Sequence, residues 1–179
     1  MLSPEEVAVL ARRGRRAALF DPREVPPCVL GRPAVERLLP HRDPFLFVEE
    51  VTGLDLTGGR IVGRRTVRAD DPVFRGHFPG DPVYPGVLVV ESLGQLGLCL
   101  LALEDRGEPE AEAALPPPAV RALRIHEAVF LAPVPPGSEL RLLAQLVAAD
   151  DTLAACAGQV WHRDRLCAFA VVEVYRAVA

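Results

Sequence analysis

A chain of 179 residues, half of them apolar, is long enough for one domain with a sizeable core. Its net charge of −4 gives no electrostatic reason to expect nucleic acid as a partner. The four cysteines (Cys28, Cys99, Cys156 and Cys167) fall at no metal-ligand spacing and read as small reduced core residues.

In chain order, Ser3-Pro4-Glu5-Glu6 is a helix start, with a capping serine, proline at the first helical position and glutamate three residues after the cap. That helix is expected to run to about Arg13. Arg12, Arg13, Arg15 and Arg16 form a basic cluster that reads as a solvated face. Asp21 to Pro33, rich in proline, reads as an extended arm, so the expected division is residues 1–33 as N-terminal helix and arm and residues 34–179 as the core domain. The first thirty residues hold no apolar block of the signal-peptide kind, and the expected location is the cytoplasm.

Ala34 to Leu39 suits a short helix and Phe45 to Thr52 a strand. Thr57-Gly58-Gly59-Arg60 reads as a two-glycine hairpin turn of the primed type. The strand that follows, Arg60 to Ala69, puts Ile61, Gly63, Arg65, Val67 and Ala69 on one side. Arg75 to Gly86 then holds three prolines and three glycines, a stiff and sharply turned loop.

From Gly86 to Leu103 the chain is apolar except for Glu91 and Gln95, the pattern of a helix buried nearly all round. Those two residues, and Glu104-Asp105-Arg106 at the end, argue against a membrane span. Asp105 to Pro118 reads as a surface loop. Three strand segments complete the chain: Val120 to Leu131, Glu139 to Ala149, and Leu153 to Arg176 folded over a turn at His162-Arg163-Asp164-Arg165. The order implies an α+β fold, an antiparallel sheet wrapped around one long central helix.

A carboxylate inside an apolar helix is costly unless something satisfies it or it takes a proton. Glu91 is that anomaly, and His77 lies on the rigid loop just before its helix. Together they form a candidate acid/base pair. Gln95 stands one helical turn beyond Glu91 on the same face, where its amide can orient the carboxyl. His41 reads as structural, and His126 and His162 as ordinary. No histidine pair has metal-ligand spacing, so no metal is expected.

The stretches Leu39-Pro40-His41-Arg42-Asp43-Pro44-Phe45-Leu46-Phe47-Val48, Gly76-His77-Phe78-Pro79-Gly80 and Pro85-Gly86-Val87-Leu88-Val89-Val90-Glu91-Ser92-Leu93-Gly94-Gln95 resemble the hot-dog-fold 3-hydroxyacyl-acyl-carrier-protein dehydratases of fatty-acid synthesis, FabZ type. The resemblance runs from about Ala34 to the C-terminus. It implies His77 and Glu91 as catalytic residues and Phe78, Gly86, Val87 and Gln95 as substrate-binding residues. It further implies a substrate carried on acyl carrier protein or CoA, and no cofactor. A homodimer in which the histidine of one subunit meets the carboxylate of the other is implied too, with a trimer of dimers left open. The sequence departs from the family pattern at Asp43, in the long loop from Asp105 to Pro118 and in the first 33 residues.

Dehydration needs a base for the C2 proton, which suits neutral His77, and an acid for the departing hydroxyl, which suits protonated Glu91. Free backbone N–H groups at Gly86 and Val87, at the positive end of the helix dipole, suit the thioester oxygen. Two rival readings remain: a hot-dog acyl thioesterase, and a non-catalytic acyl-binding subunit.

Overall fold

The first helix, α1 (Pro4–Gly14), begins where the capping signal puts it. The Glu6 N–H donates to the Ser3 hydroxyl at 3.3 Å, and the Ser3 N–H donates to the Glu6 carboxylate at 2.7 Å. The computed structural model describes residues 2–106 and 120–176. Most of the segment from Asp105 to Pro118, expected as a surface loop, lies outside the described residues.

The segment after α1 carries more structure than an extended arm. Pro22–Glu24 forms a turn of 3-10 helix, and β1 (Pro27–Leu30) pairs antiparallel with β2 (Glu50–Asp55). Leu19, Phe20 and Val25 are buried in one cluster with Val62, Leu143, Ala157, Phe169 and Val171 of the sheet. Gln159, fully buried, ties the same segment down, taking the Leu19 N–H at 2.9 Å and donating to the Gly14 and Ala17 carbonyls at 2.7 and 2.8 Å. Apolar side chains at 19, 20 and 25 gain on the order of 1.5–3 kcal/mol each by that burial.

A short helix, α2 (Arg32–Leu38), follows. The strand expected at Phe45 begins later, at Glu50. The reason is local: the Gln95 side chain takes the Phe47 N–H at 2.7 Å and donates to the Phe45 carbonyl at 2.9 Å, in place of a neighbouring strand. The turn from β2 to β3 (Arg60–Thr66) also differs from the primed two-residue form. Asp55 and Arg60 pair across a four-residue connection. The Asp55 carboxylate takes the Gly58 N–H at 2.8 Å, an Asx-type closure, so of its two glycines only Gly59, at φ +58, adopts positive φ.

The long helix α3 (Gly86–Arg106) lies on one face of the sheet, against β3, β5 (Glu139–Ala149), β6 (Leu153–His162) and β7 (Arg165–Arg176). Leu96, Leu100 and Leu103 are fully buried there. By length and composition α3 could cross a bilayer, yet 67% of its most apolar stretch is covered by the rest of the chain. The strands run β1-β2-β3-β5-β6-β7-β4, with β4 (Val120–Phe130) at one edge and every pair antiparallel. One sheet curled around one central helix is the α+β hot-dog fold.

Candidate active site

The loop that carries His77 is built from turns. The Asp71 carboxylate takes the Val73 N–H at 2.9 Å and starts a 3-10 turn, Pro72–Arg75. The His77 N–H closes on the Val73 carbonyl at 3.0 Å, and the Val83 N–H returns to the His77 carbonyl at 3.0 Å. A bond from the Tyr84 N–H to the Val134 carbonyl, at 2.8 Å, fastens the loop to the connection before β5.

Within that loop the imidazole is fixed. His77 Nδ1 lies 2.8 Å from the Val83 carbonyl oxygen. A carbonyl only accepts, so Nδ1 carries the proton and, in the neutral ring, Nε2 keeps its lone pair. The Phe78 ring stacks on the imidazole, with centroids 4.0 Å apart, and is half exposed.

The start of α3 supplies donors. The Pro85 carbonyl takes the N–H groups of Leu88 and Val89, at 3.0 and 3.2 Å. Among the described residues no acceptor meets the N–H groups of Gly86 or Val87, as the first turn of a helix requires. A Cβ on Gly86 would stand 2.6 Å from the Phe130 ring, so the missing side chain makes room for that ring. His77, Gly86, Val87 and Phe130 line one cleft of about 450 Å³.

Glu91 opens into a different cleft, of about 430 Å³, mostly apolar, with His41 beside it. Its Oε1 accepts from Gln95 Nε2 at 2.9 Å and lies 3.6 Å from His41 Nε2. The Glu91 side chain is 34% exposed in the isolated chain, less enclosed than an apolar helix suggests, because it points into this cleft. Val87 and Phe130 form walls of both clefts. The fold therefore joins Glu91 with Gln95, and His77 with Gly86, Val87 and Phe78, while His77 and Glu91 line separate clefts of one chain.

Three features escaped the sequence reading. His41, read as structural, faces Glu91; its place in Leu39-Pro40-His41-Arg42 was the available signal. His126, read as ordinary, has Glu173 at 2.8 Å from Nε2, a cross-strand partner that sequence distance hid. Arg65 is 6% exposed, its Nη2 bonded to the Tyr84 hydroxyl and its Nη1 3.4 Å from Ser92 Oγ. An arginine in the register of Ile61, Gly63 and Val67 was the signal for it. Among the described residues no group of three or more His, Cys, Asp or Glu side chains is placed to hold a metal ion.

Comparison with known proteins bears on what this arrangement is for. Residues 39–170 match the model of the FabA-like domain. The chain is 39% identical over 117 residues to the 3-hydroxyacyl-acyl-carrier-protein dehydratase FabZ of Chlamydia trachomatis serovar L2, covering 65% of this chain and 72% of the relative. To the protein of the same name from Symbiobacterium thermophilum it is 37% identical over 136 residues, covering 76% and 89%. Among solved structures, the dehydratase heterocomplex ApeI:P from Xenorhabdus doucetiae superposes with a TM-score of 0.63 at 20% identity, over 80% of this chain and 91% of that one.

Proposed function

We propose that this chain, which belongs to the FabA-like family and is an enzyme of the FabZ dehydratase type, removes water from a 3-hydroxyacyl thioester with His77 as base and Glu91 as acid. The product is the trans-2-enoyl thioester, and the setting is fatty-acid or related polyketide and lipid synthesis. The carrier is acyl carrier protein or CoA, and the place of work is the cytoplasm.

The observation that carries the reading is the bond from His77 Nδ1 to the Val83 carbonyl, which leaves Nε2 as the basic atom. Nε2 takes the C2 proton. The negative charge that develops on the thioester oxygen meets the unpaired N–H groups of Gly86 and Val87. Protonated Glu91, oriented by Gln95, gives its proton to the C3 hydroxyl, which leaves as water while the C2=C3 double bond forms. The apolar cleft beside Glu91 suits the acyl chain.

The working unit in this reading is a homodimer, with further assembly into a trimer of dimers as an extension of it. Two observations support the pairing. His77 and Glu91 line separate clefts within one chain, an arrangement that an acid from a partner subunit beside each base would complete. In addition, β4 ends the sheet and leaves Leu123, Ile125 and Phe130 more than half exposed beside an eleven-residue edge, a surface that a second subunit would cover.

The test is hydration of a crotonyl-type thioester run beside an assay for free thiol. The dehydratase reading expects loss of the enoyl absorbance with no thiol released, and a fall of roughly 10²–10⁴-fold in His77→Ala. Thiol release at a matching rate would establish a thioesterase instead. No turnover of either kind would favour the acyl-binding subunit.

A further inference from the structure

Arg65 is a buried cation that, among the described residues, has no carboxylate within ion-pair distance; Glu49 and Asp71 act on it only from farther off. It stands on the face of β3 that packs toward α3, between Gly63 and Val67 in register, and is 6% exposed. The guanidinium keeps its charge in proteins. Among the described residues no carboxylate forms an ion pair with it. Burying such a charge costs several kcal/mol in order of magnitude unless its surroundings replace water.

Those surroundings are two hydroxyls and two rings. Nη2 donates to the Tyr84 hydroxyl and Nη1 reaches Ser92 Oγ at 3.4 Å, while Nε meets no acceptor among the described residues. The Phe47 ring centroid lies 4.0 Å from the guanidinium carbon and that of Tyr84 4.9 Å. Every one of these partners adjoins a residue that holds the catalytic pair. Tyr84 follows Val83, whose carbonyl fixes His77 Nδ1. Phe47 gives its N–H to Gln95, which holds Glu91, and Ser92 is the next residue of α3 after Glu91.

We propose that Arg65 is the positioning residue of this site: through Tyr84 it fixes the carbonyl that sets the tautomer of His77, and through Phe47 and Ser92 it fixes the stretch that carries Glu91. The inference rests on the roles proposed above for His77 and Glu91, and it gives Arg65 no contact with the substrate. The planar fork matters, since one guanidinium spans both hydroxyls while lying against both rings, which a lysine ammonium cannot do.

The experiment records ¹⁵N spectra of histidine-labelled protein, with the His77 signals identified by their loss in His77→Ala. In the wild type, the neutral His77 ring carries its proton on Nδ1. In Arg65→Met and in Tyr84→Phe it becomes a mixture of tautomers. For both variants kcat falls by roughly 10–100-fold, the scale expected when a catalytic group is displaced by about 1 Å. KM for a short thioester stays within about twofold, because no binding contact is removed.

If Arg65→Met does not fold, Tyr84→Phe decides, since it removes one hydroxyl and keeps the ring. A wild-type His77 spectrum in folded Tyr84→Phe overturns the proposal. The spectra need no turnover, which separates the two claims. A displaced tautomer in a protein that dehydrates nothing would refute the function and leave the role of Arg65 standing. An unchanged tautomer in an active dehydratase would do the reverse.

Discussion

Gln95 holds Glu91 from one helical turn away: its Nε2 donates to Glu91 Oε1 at 2.9 Å while its own oxygen takes the Phe47 N–H at 2.7 Å. The amide is fully buried and also donates to the Phe45 carbonyl, so it joins α3 to the chain leading into β2. Gln95→Leu strands the Phe47 N–H and the Phe45 carbonyl and frees the carboxyl. The expected result is a stability loss of about 1–3 kcal/mol in urea unfolding, mainly from the buried Phe47 N–H left unpaired, with the part-buried Phe45 carbonyl adding less. The same variant should lose roughly tenfold or more in kcat, because the carboxyl proposed as the acid is no longer oriented.

The N-terminal segment should behave as part of the folded core. Gln159 makes three bonds to the backbone at Gly14, Ala17 and Leu19, and Phe20 is buried with the Arg60 guanidinium 5.6 Å from its ring. Gln159→Leu is expected to lower the melting temperature, by an amount matching about 2–4 kcal/mol for the stranded groups. Deleting residues 1–33 uncovers Val62, Leu143, Phe169 and Val171 and should yield an aggregated or unfolded product in size-exclusion chromatography. A monodisperse truncated protein with the full-length melting temperature would contradict this.

Burial pushes the Cys99 thiol from 9.0 up to about 12. In the unfolded chain the thiol ionises near 9, whereas in the fold it stays protonated to about 12. A raised pKa of this kind gives stability that is complete below the unfolded value and is lost as pH rises toward the folded one. Urea midpoints under reducing conditions should therefore decline between pH 9 and 12, with Cys99 contributing up to about 1.4 kcal/mol per pH unit. Cys99→Ala should start less stable at neutral pH and decline less steeply. Parallel slopes would show that Cys99 is accessible to hydroxide.

Much of the fold was legible because its signals are local. The Ser3 cap, the apolar run from Gly86, the period of two in β5 and the turn at His162 each depend on a few neighbouring residues. What sequence reading missed depends on contacts between distant segments. Phe45 to Phe47 looks like strand, but its backbone partners belong to Gln95, about fifty residues later. The arm looks extended because prolines are read locally, whereas Leu19, Phe20 and Val25 matter through the sheet face they cover. His77, Glu91 and Gln95 stood out as polar groups where rigidity or apolarity is expected. Arg65 was equally anomalous in its register and passed unnoticed, since a single charged position in a strand ordinarily points to water.

The central claim is that each site takes His77 from one subunit and Glu91 from the other, and mixing two inactive variants tests it most directly. His77→Ala and Glu91→Gln are combined under conditions of proven subunit exchange, and enoyl thioester hydration is measured. Half of the dimers are then mixed and each has one intact site of two, so about a quarter of wild-type activity should return. If both residues served one chain's own site, no mixed dimer would hold an intact pair. Activity that stays at the level of the separate variants would contradict the account.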